Sequence, residues 1–250
     1  MRKFGLIGYP LGHSFSKKYF TEKFHNEHID DSFYEIYPLT DISLITNLIA
    51  SEPDLRGLNV TIPYKSDIIR FLDWISPEAE EIGAVNVVKI KRIGERIELS
   101  GFNSDVTGIR DSIGKYVNYS IVKAMVLGTG GSSRAVCYVL REMGINVTLV
   151  SRISQANIIS YSDITADMLK SNRLIVNTTP LGMYPDIDSY PDIDYKSLDR
   201  SNILFDLVYN PEITSFLRMG AEQGCTVVSG LKMLHSQAER SWEIWNDLSQ

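Results

Sequence analysis

The stretch that decides the fold is Ile121-Val122-Lys123-Ala124-Met125-Val126-Leu127-Gly128-Thr129-Gly130-Gly131-Ser132-Ser133-Arg134-Ala135. A β-rich run ends in a glycine cluster and passes at once into an apolar helix predicted through Leu140. Unpaired N–H groups at the start of such a helix attract anions, and small residues let the backbone approach a pyrophosphate closely. A glycine cluster alone marks an ordinary turn, but between a strand and a helix it points to a dinucleotide. The next predicted strand, Val147–Val150, runs into Ser151-Arg152. Chains that prefer NAD offer Asp or Glu here to the ribose hydroxyls, whereas a guanidinium pairs with a 2′-phosphate and stacks on adenine. Arg152 therefore favours NADP, with a solvated surface arginine as the alternative.

Working outward, Leu174–Asn177, Ile203–Leu207 and Thr226–Val228 supply further strands and complete a dinucleotide-fold outline. Upstream, Phe4–Gly8, Phe33–Tyr37 and Leu58–Ile62 read as strands. Tyr19, Phe20 and Phe24, then Ile42, Ile45, Leu48 and Ile49, recur at helical spacing between them. Val85–Ile90 and Ile97–Phe102 form a hairpin around Ile93-Gly94-Glu95, and Val106–Tyr116 reads as a linking helix. Leu231, Leu234, Ala238, Trp242, Trp245 and Leu248 share one face of a terminal helix that packs back on the first domain. Strand and helix alternation predicts an α/β chain with mainly parallel sheets. The expected organisation is an N-terminal α/β domain over 1–105, joined by 231–250, and a Rossmann-type domain over 106–230.

The 250 residues fit one large domain or two smaller ones, with 25 Lys+Arg against 31 Asp+Glu for a net charge of −6. That balance argues against bulk attraction to nucleic acid or to an anionic membrane, while leaving room for a basic pocket. Cys137 and Cys225 are too few for a disulfide framework or a thiolate cluster and read as inert thiols in or near the core. Met1-Arg2-Lys3 leads into a strand rather than a signal peptide, and no run approaches about eighteen apolar residues. A cytoplasmic location is the expectation.

In the N-terminal half, Asn59-Val60-Thr61-Ile62-Pro63-Tyr64-Lys65 alternates polar and apolar residues before stopping at proline. The alternation predicts Asn59 and Thr61 facing a cleft, with Val60 and Ile62 facing a core. Lys65 just beyond can donate or accept a proton if burial lowers its pKa, with a solvated surface lysine as the alternative. Asn103-Ser104-Asp105 stands at a strand end, where it could equally cap the following helix. Ser14 and Ser16 could likewise only start a helix over Ser16–Phe24.

Taken in order, these segments resemble the shikimate dehydrogenase family over nearly the whole chain. The resemblance rests on Gly8-Tyr9-Pro10-Leu11-Gly12-His13-Ser14-Phe15-Ser16, Asn59–Lys65, Gly83-Ala84-Val85-Asn86, Gly101–Asp105 and Gly128–Ala135. It extends through Asn177–Met183, Asp206–Thr214 and Gly230–Ala238. It implies NADP-dependent interconversion of 3-dehydroshikimate and shikimate, with a substrate domain and a Rossmann domain facing each other across a cleft, and no metal. The resemblance makes Lys65 and Asp105 the catalytic pair. Lys65 would protonate the developing alkoxide or take the hydroxyl proton in reverse, while Asp105 orients the substrate. It places Ser14, Ser16 and Tyr209 at the substrate carboxylate, and Thr61, Asn86 and Gln237 at its hydroxyls. NADP would lie on Gly128, Gly130, Gly131, Ser132 and Ser133, with Arg152 at the 2′-phosphate and Thr178, Leu207 and Gly230 near the ribose and nicotinamide. The implied partners are small molecules only, for a monomer or homodimer.

The chain departs from the family pattern in places. Ser16 is followed by Lys17-Lys18-Tyr19-Phe20 rather than by proline, Tyr64 precedes the lysine, Val87 follows Asn86, and Ser104 precedes Asp105. None of these removes a proposed catalytic group. Gln155 stands where a second basic residue is frequent beyond the arginine, which softens the NADP preference. Two alternatives stand beside the leading reading: a dehydrogenase of quinate or a related cyclic polyol acid, and a non-catalytic nucleotide-binding sensor.

Overall fold

A computed structural model describes residues 1–11, 15–117 and 121–247. The chain divides into two compact units, Met1–Ser104 with Ala238–Gln250, and Asp105–Gln237. In the first unit the order is β1 (Arg2–Gly8), α1 (Phe15–Asn26), β2 (Ser32–Pro38), α2 (Ile45–Ser51), β3 (Leu55–Val60), β4 (Trp74–Ile75), α3 (Pro77–Ile82), β5 (Val87–Ile93) and β6 (Arg96–Phe102). In the second it is α4 (Asp105–Ile113), β7 (Lys123–Leu127), α5 (Gly131–Glu142), β8 (Asn146–Ser151), β9 (Ile158–Ser160), α6 (Ala166–Ser171), β10 (Leu174–Asn177), β11 (Ile203–Asp206), α7 (Ser215–Glu222) and β12 (Thr226–Val228). Helix α8 (Leu231–Trp245) starts in the second unit and ends in the first. The short strands β4 and β9 lie outside the runs read from sequence, being too brief to show a period.

Among the described residues the first sheet has the order β2-β1-β3-β5-β6-β4. β1 pairs in parallel with β2 and β3, whereas β3–β5 and β5–β6 are antiparallel, so this sheet is mixed. The expected hairpin forms as β5–β6, with Ile93 opposite Arg96 and a two-residue turn. Gly94 supplies the positive φ of +60° that this turn needs. One face of the sheet packs Leu55, Leu58, Val60 and Ile90 against Ile42, Ile45 and Ile49. The other packs Phe4 and Leu6 against Phe20, Phe24, Trp242 and Trp245. Each such side chain contributes about 1.5–3 kcal/mol when fully buried.

Trp245 explains a glycine. Its indole lies so close over β3 that a Cβ on Gly57 would come within 2.2 Å of Nε1, which itself donates to the Val88 carbonyl at 3.1 Å. The terminal tryptophans thus belong to the core of the first unit, as their helical spacing suggested.

The second sheet runs β12-β11-β10-β7-β8-β9, and its pairings among the described residues are parallel. Counted from β7, this is the doubly wound order in which the chain reverses direction between the first and fourth strands. Its central strands β7 and β10 are buried on both faces, the pattern of a parallel sheet covered by helices. No helix among the described residues is long and apolar enough to cross a membrane.

Candidate functional site

The second unit collects its candidate residues through strand register. Leu127 stands opposite Val150 on one side and Asn177 on the other, and Asn177 stands opposite Asp206. The residues that follow, Gly128, Ser151, Thr178 and Leu207, therefore emerge at one edge of the sheet. Ligands of open parallel sheets bind at this edge, where the strand order reverses.

Gly128 has φ +109°, and a Cβ there would sit 2.6 Å from Thr178 Oγ1, so both backbone shape and space demand glycine. Its N–H donates to Val150 O at 2.9 Å, and its carbonyl accepts from the Ser133 hydroxyl at 2.7 Å. Ser133 is buried and braces the loop with that hydroxyl, leaving its backbone N–H at the helix start. At Gly130, the residue before α5, an added Cβ would meet nothing within 4 Å. There is thus room beside Gly130, at the start of the helix whose first N–H groups are those of Gly131, Ser132 and Ser133. This arrangement suits a diphosphate. Thr178 donates to Leu127 O through both its N–H at 2.9 Å and its hydroxyl at 2.7 Å. Gly230 is packed against Leu207, where a Cβ would fall 2.3 Å from the Leu207 carbonyl. Gly128, Thr178, Leu207 and Gly230 are thus brought together.

Arg152 is exposed just beyond β8. Nearby Tyr161 has its phenol pushed up by burial, an effect that the positive charge of Arg152 opposes. Tyr209 is half-buried, and burial raises its phenol as well. Gln237 lies on α8 and donates through Nε2 to Leu234 O at 3.0 Å. Asp105 opens α4 and is buried.

Beneath the loops of this edge lies a carboxylate that sequence reading left without a role. Asp206 is fully buried at the end of β11. It accepts from Thr214 Oγ1 at 2.6 Å, Asn177 Nδ2 at 3.0 Å and the Val208 N–H at 3.0 Å. Burial raises its carboxyl to about 6 despite these donors. Asn177 in turn accepts from the N–H and hydroxyl of Thr179 at 3.0 and 2.6 Å. The loops carrying Thr178, Leu207 and Tyr209 are therefore fastened to one anionic post.

In the first unit, Ser14 lies outside the described residues, and so does His13. Ser16 belongs to the first turn of α1 and is hydrogen-bonded to Tyr34 of β2. Thr61 follows β3, and its N–H donates to Ile7 O at 2.9 Å. Lys65 is half-buried after the turn closed by Tyr64 N–H to Thr61 O, and its own carbonyl accepts from Val85 N at 2.7 Å. The segment is pinned by Tyr64, whose buried hydroxyl donates to Leu39 O at 2.7 Å. Asn86 is buried with its amide on Ser104: Oδ1 accepts from the Ser104 N–H at 2.7 Å and Nδ2 donates to Oγ at 3.1 Å.

Two expectations for this segment fail. Ile62 is 69% exposed rather than core-facing, because β3 stops at Val60 and the chain turns. Asn59 does not share a cleft-facing side with Thr61. It is buried, accepting from the Tyr34 hydroxyl at 2.8 Å and donating to Ser241 Oγ at 2.9 Å. Both faces of β3 are covered, so alternation did not mark inside from outside. Ser241 was overlooked in the sequence. The signal was present, since it falls on the same helical face as Ala238, Trp242 and Trp245.

Comparison with known proteins bears directly on this arrangement. A family model described as the shikimate dehydrogenase substrate binding domain matches residues 6–88. A shikimate dehydrogenase (NADP(+)) of Methanococcus aeolicus is 37% identical over 264 aligned residues, covering 96% of this chain and 90% of its own. Among solved structures, shikimate 5-dehydrogenase from Thermus thermophilus in complex with NADP(H) and shikimate superposes with a TM-score of 0.85. It is 31% identical and covers 99% of this chain and 94% of its own. A quinate dehydrogenase from Corynebacterium glutamicum in complex with NAD reaches a TM-score of 0.86 at 24% identity, covering 98% and 94%, a likeness of fold alone.

Proposed function

The chain belongs to the shikimate dehydrogenase family and is an NADP-dependent oxidoreductase of the shikimate pathway. From that premise we propose which of its residues carry out the reversible reduction of 3-dehydroshikimate to shikimate. The observation that carries the cofactor half is the convergence of Gly128, Thr178, Leu207 and Gly230 at the reversal point of the parallel sheet. When bound, NADPH supplies the hydride that the carbonyl carbon accepts. Everything else falls to side chains and backbone.

The N–H groups of Gly131, Ser132 and Ser133 hold the diphosphate, and Gly128 and Gly130 let it approach. Arg152 pairs with the 2′-phosphate through a charge-assisted fork. Thr178, Leu207 and Gly230 set the ribose and nicotinamide. As the carbonyl gains electrons, its oxygen becomes basic, and the Lys65 ammonium delivers a proton to that oxygen. In the reverse direction the neutral amine accepts the hydroxyl proton. Asp105 orients the substrate. Ser14, Ser16 and Tyr209 donate to the substrate carboxylate, while Thr61, Asn86 and Gln237 bind the ring hydroxyls. Neutral partners of this kind discriminate sharply against analogues that lack a hydroxyl, because their own polar atoms are then stranded.

As a working division we assign 1–105 with 231–250 to the substrate part and 106–230 to the nucleotide part. A cytoplasmic monomer or homodimer completes the proposal, with buried Cys137 and Cys225 kept as free thiols. Burial raises both thiols, Cys225 to about 11, which suits unreactive cysteines.

The decisive experiment mixes the purified protein with shikimate and NADP and follows reduced nicotinamide absorbance. A rise is expected, with a smaller rate when NAD replaces NADP. Folded protein giving no rise would overturn the reading, and faster turnover of quinate with NAD would move it to the related dehydrogenases.

A further inference from the structure

A chain of uncharged, buried side chains runs through the first unit, joining Ser16 to Asn86. Ser16 is bonded to the Tyr34 phenol, whose hydroxyl donates to Asn59 Oδ1 at 2.8 Å. Asn59 Nδ2 donates to Ser241 Oγ at 2.9 Å, and Ser241 Oγ lies 3.2 Å from Ser104 Oγ. Ser104 then engages Asn86 through both its hydroxyl and its N–H. Tyr34, Asn59, Ser104 and Ser241 are 3%, 6%, 0% and 0% exposed, so water does not compete for these bonds. The chain draws on α1, β2, β3, α8 and the segment after β6, elements distant in sequence.

We propose that Tyr34, Asn59, Ser104 and Ser241 are positioning residues that couple the carboxylate-binding Ser16 to the hydroxyl-binding Asn86. This rests on the functional reading above, in which Ser16 and Asn86 contact the substrate. A hydroxyl has one rotatable hydrogen, so Ser16 can turn it from the Tyr34 phenol to an arriving carboxylate without moving its oxygen. A neutral bond is then exchanged for a stronger charge-assisted one. At the other end, the hold of Ser104 on both amide atoms of Asn86 fixes which face of that amide meets a ring hydroxyl. Ser241 closes the chain, because its hydroxyl brings α8 to both Asn59 and Ser104. The terminal helix thereby sets the geometry of substrate contacts that it does not itself supply.

The test compares Tyr34→Phe, Ser241→Ala and the double variant in steady-state shikimate oxidation, alongside thermal unfolding. Removing one buried hydrogen bond of this type predicts a shikimate KM raised about three- to tenfold, with the KM for NADP within about twofold. Because both changes interrupt one chain, the double variant should exceed the worse single by less than about twofold, not by the product. Tyr34→Phe keeps the ring stacked on Phe20 at 4.6 Å, so it remains informative if Ser241→Ala does not fold. A merely structural network would lower the melting temperature and leave the shikimate KM alone. Unchanged shikimate KM in the folded variants, an equal rise in the NADP KM, or a multiplicative double variant would each overturn the proposal. Wild-type protein that does not oxidise shikimate would overturn the functional reading and this proposal together.

Discussion

The two units solve the same problem with different chemistry. Each fastens from below, with a buried hydrogen-bond network, the polar loops that we assign to ligands. In the first unit every member is neutral: Tyr34, Asn59, Ser104, Ser241 and Asn86. In the second the centre is ionisable, with Asn177, Thr214 and the Val208 N–H all donating to Asp206. A neutral network can redistribute its hydrogens when a carboxylate arrives and does not titrate between pH 4 and 8. A carboxylate post accepts from every side at once and holds its donors harder, but burial makes its charge costly. The carboxylate stands beneath the edge we assign to the nicotinamide, and the hydroxyl chain beneath the contacts we assign to the substrate.

The contrast can be broken at several points. The largest effect is expected where neither network acts and chemistry is at stake. Lys65→Ala should lower kcat by about a hundredfold to ten-thousandfold, as loss of a general acid–base group does, with NADP affinity by fluorescence titration nearly unchanged. Equal losses in turnover and cofactor binding would remove Lys65 from the role of proton carrier.

Next comes the titration of Asp206. Its folded value of about 6 lies above the usual carboxylate value of 3.8, so the fold favours the protonated form. The associated stability is fully present below pH 4 and is lost as the pH rises through 6. Urea unfolding of wild type and Asp206→Asn between pH 4 and pH 7 should therefore show the wild type losing about 2 kcal/mol relative to the amide variant. Tyr34→Phe should show no comparable pH-dependent difference from wild type over that range. A flat difference for Asp206→Asn would mean that the two networks are not distinguished by charge.

Arg152→Ala sharpens the comparison on the nucleotide side. Removing a charge-assisted partner of the 2′-phosphate is expected to raise the KM for NADP by about tenfold or more while leaving that for NAD within about twofold. Parallel rises for both cofactors would mark Arg152 as an adenine-stacking residue instead. The smallest effect is expected at the anchor of the terminal helix. Trp245→Phe loses the bond to Val88 O and should cost about 1 kcal/mol in urea unfolding, with little change in either cofactor KM.

Much of the fold was legible because its signals are local. The order strand, Gly128–Gly131, helix needs no distant partner to be recognised, and Leu174–Asn177 and Thr226–Val228 form with the bounds that their β-rich runs suggested. The hairpin was legible because its turn is two residues long. The strand β3 was misread at its end because a strand buried on both faces has no outside, so the alternation through Ile62 carried no information. Ser241 and Asn59 could be seen as polar residues in apolar settings, but not as partners. Asp206 could be seen only as part of a motif, not as a buried acid with three donors.

The sequence by itself determined the order of elements, the glycine turn between strand and helix that we assign to a diphosphate, the arginine that we assign to a 2′-phosphate, and the family to which the motifs point. These depend on backbone conformation and spacing within a few residues, which the chain encodes where it stands. Only the tertiary structure decided which polar side chains are buried and to whom they are bonded. The Asn59–Ser241 bond joins residues 182 positions apart, and Asn177–Asp206 joins residues 29 apart. Such partnerships form when sheets and helices close over them and remove water. A hydroxyl or an acid has the same letter in the sequence whether it faces solvent or carries a loop.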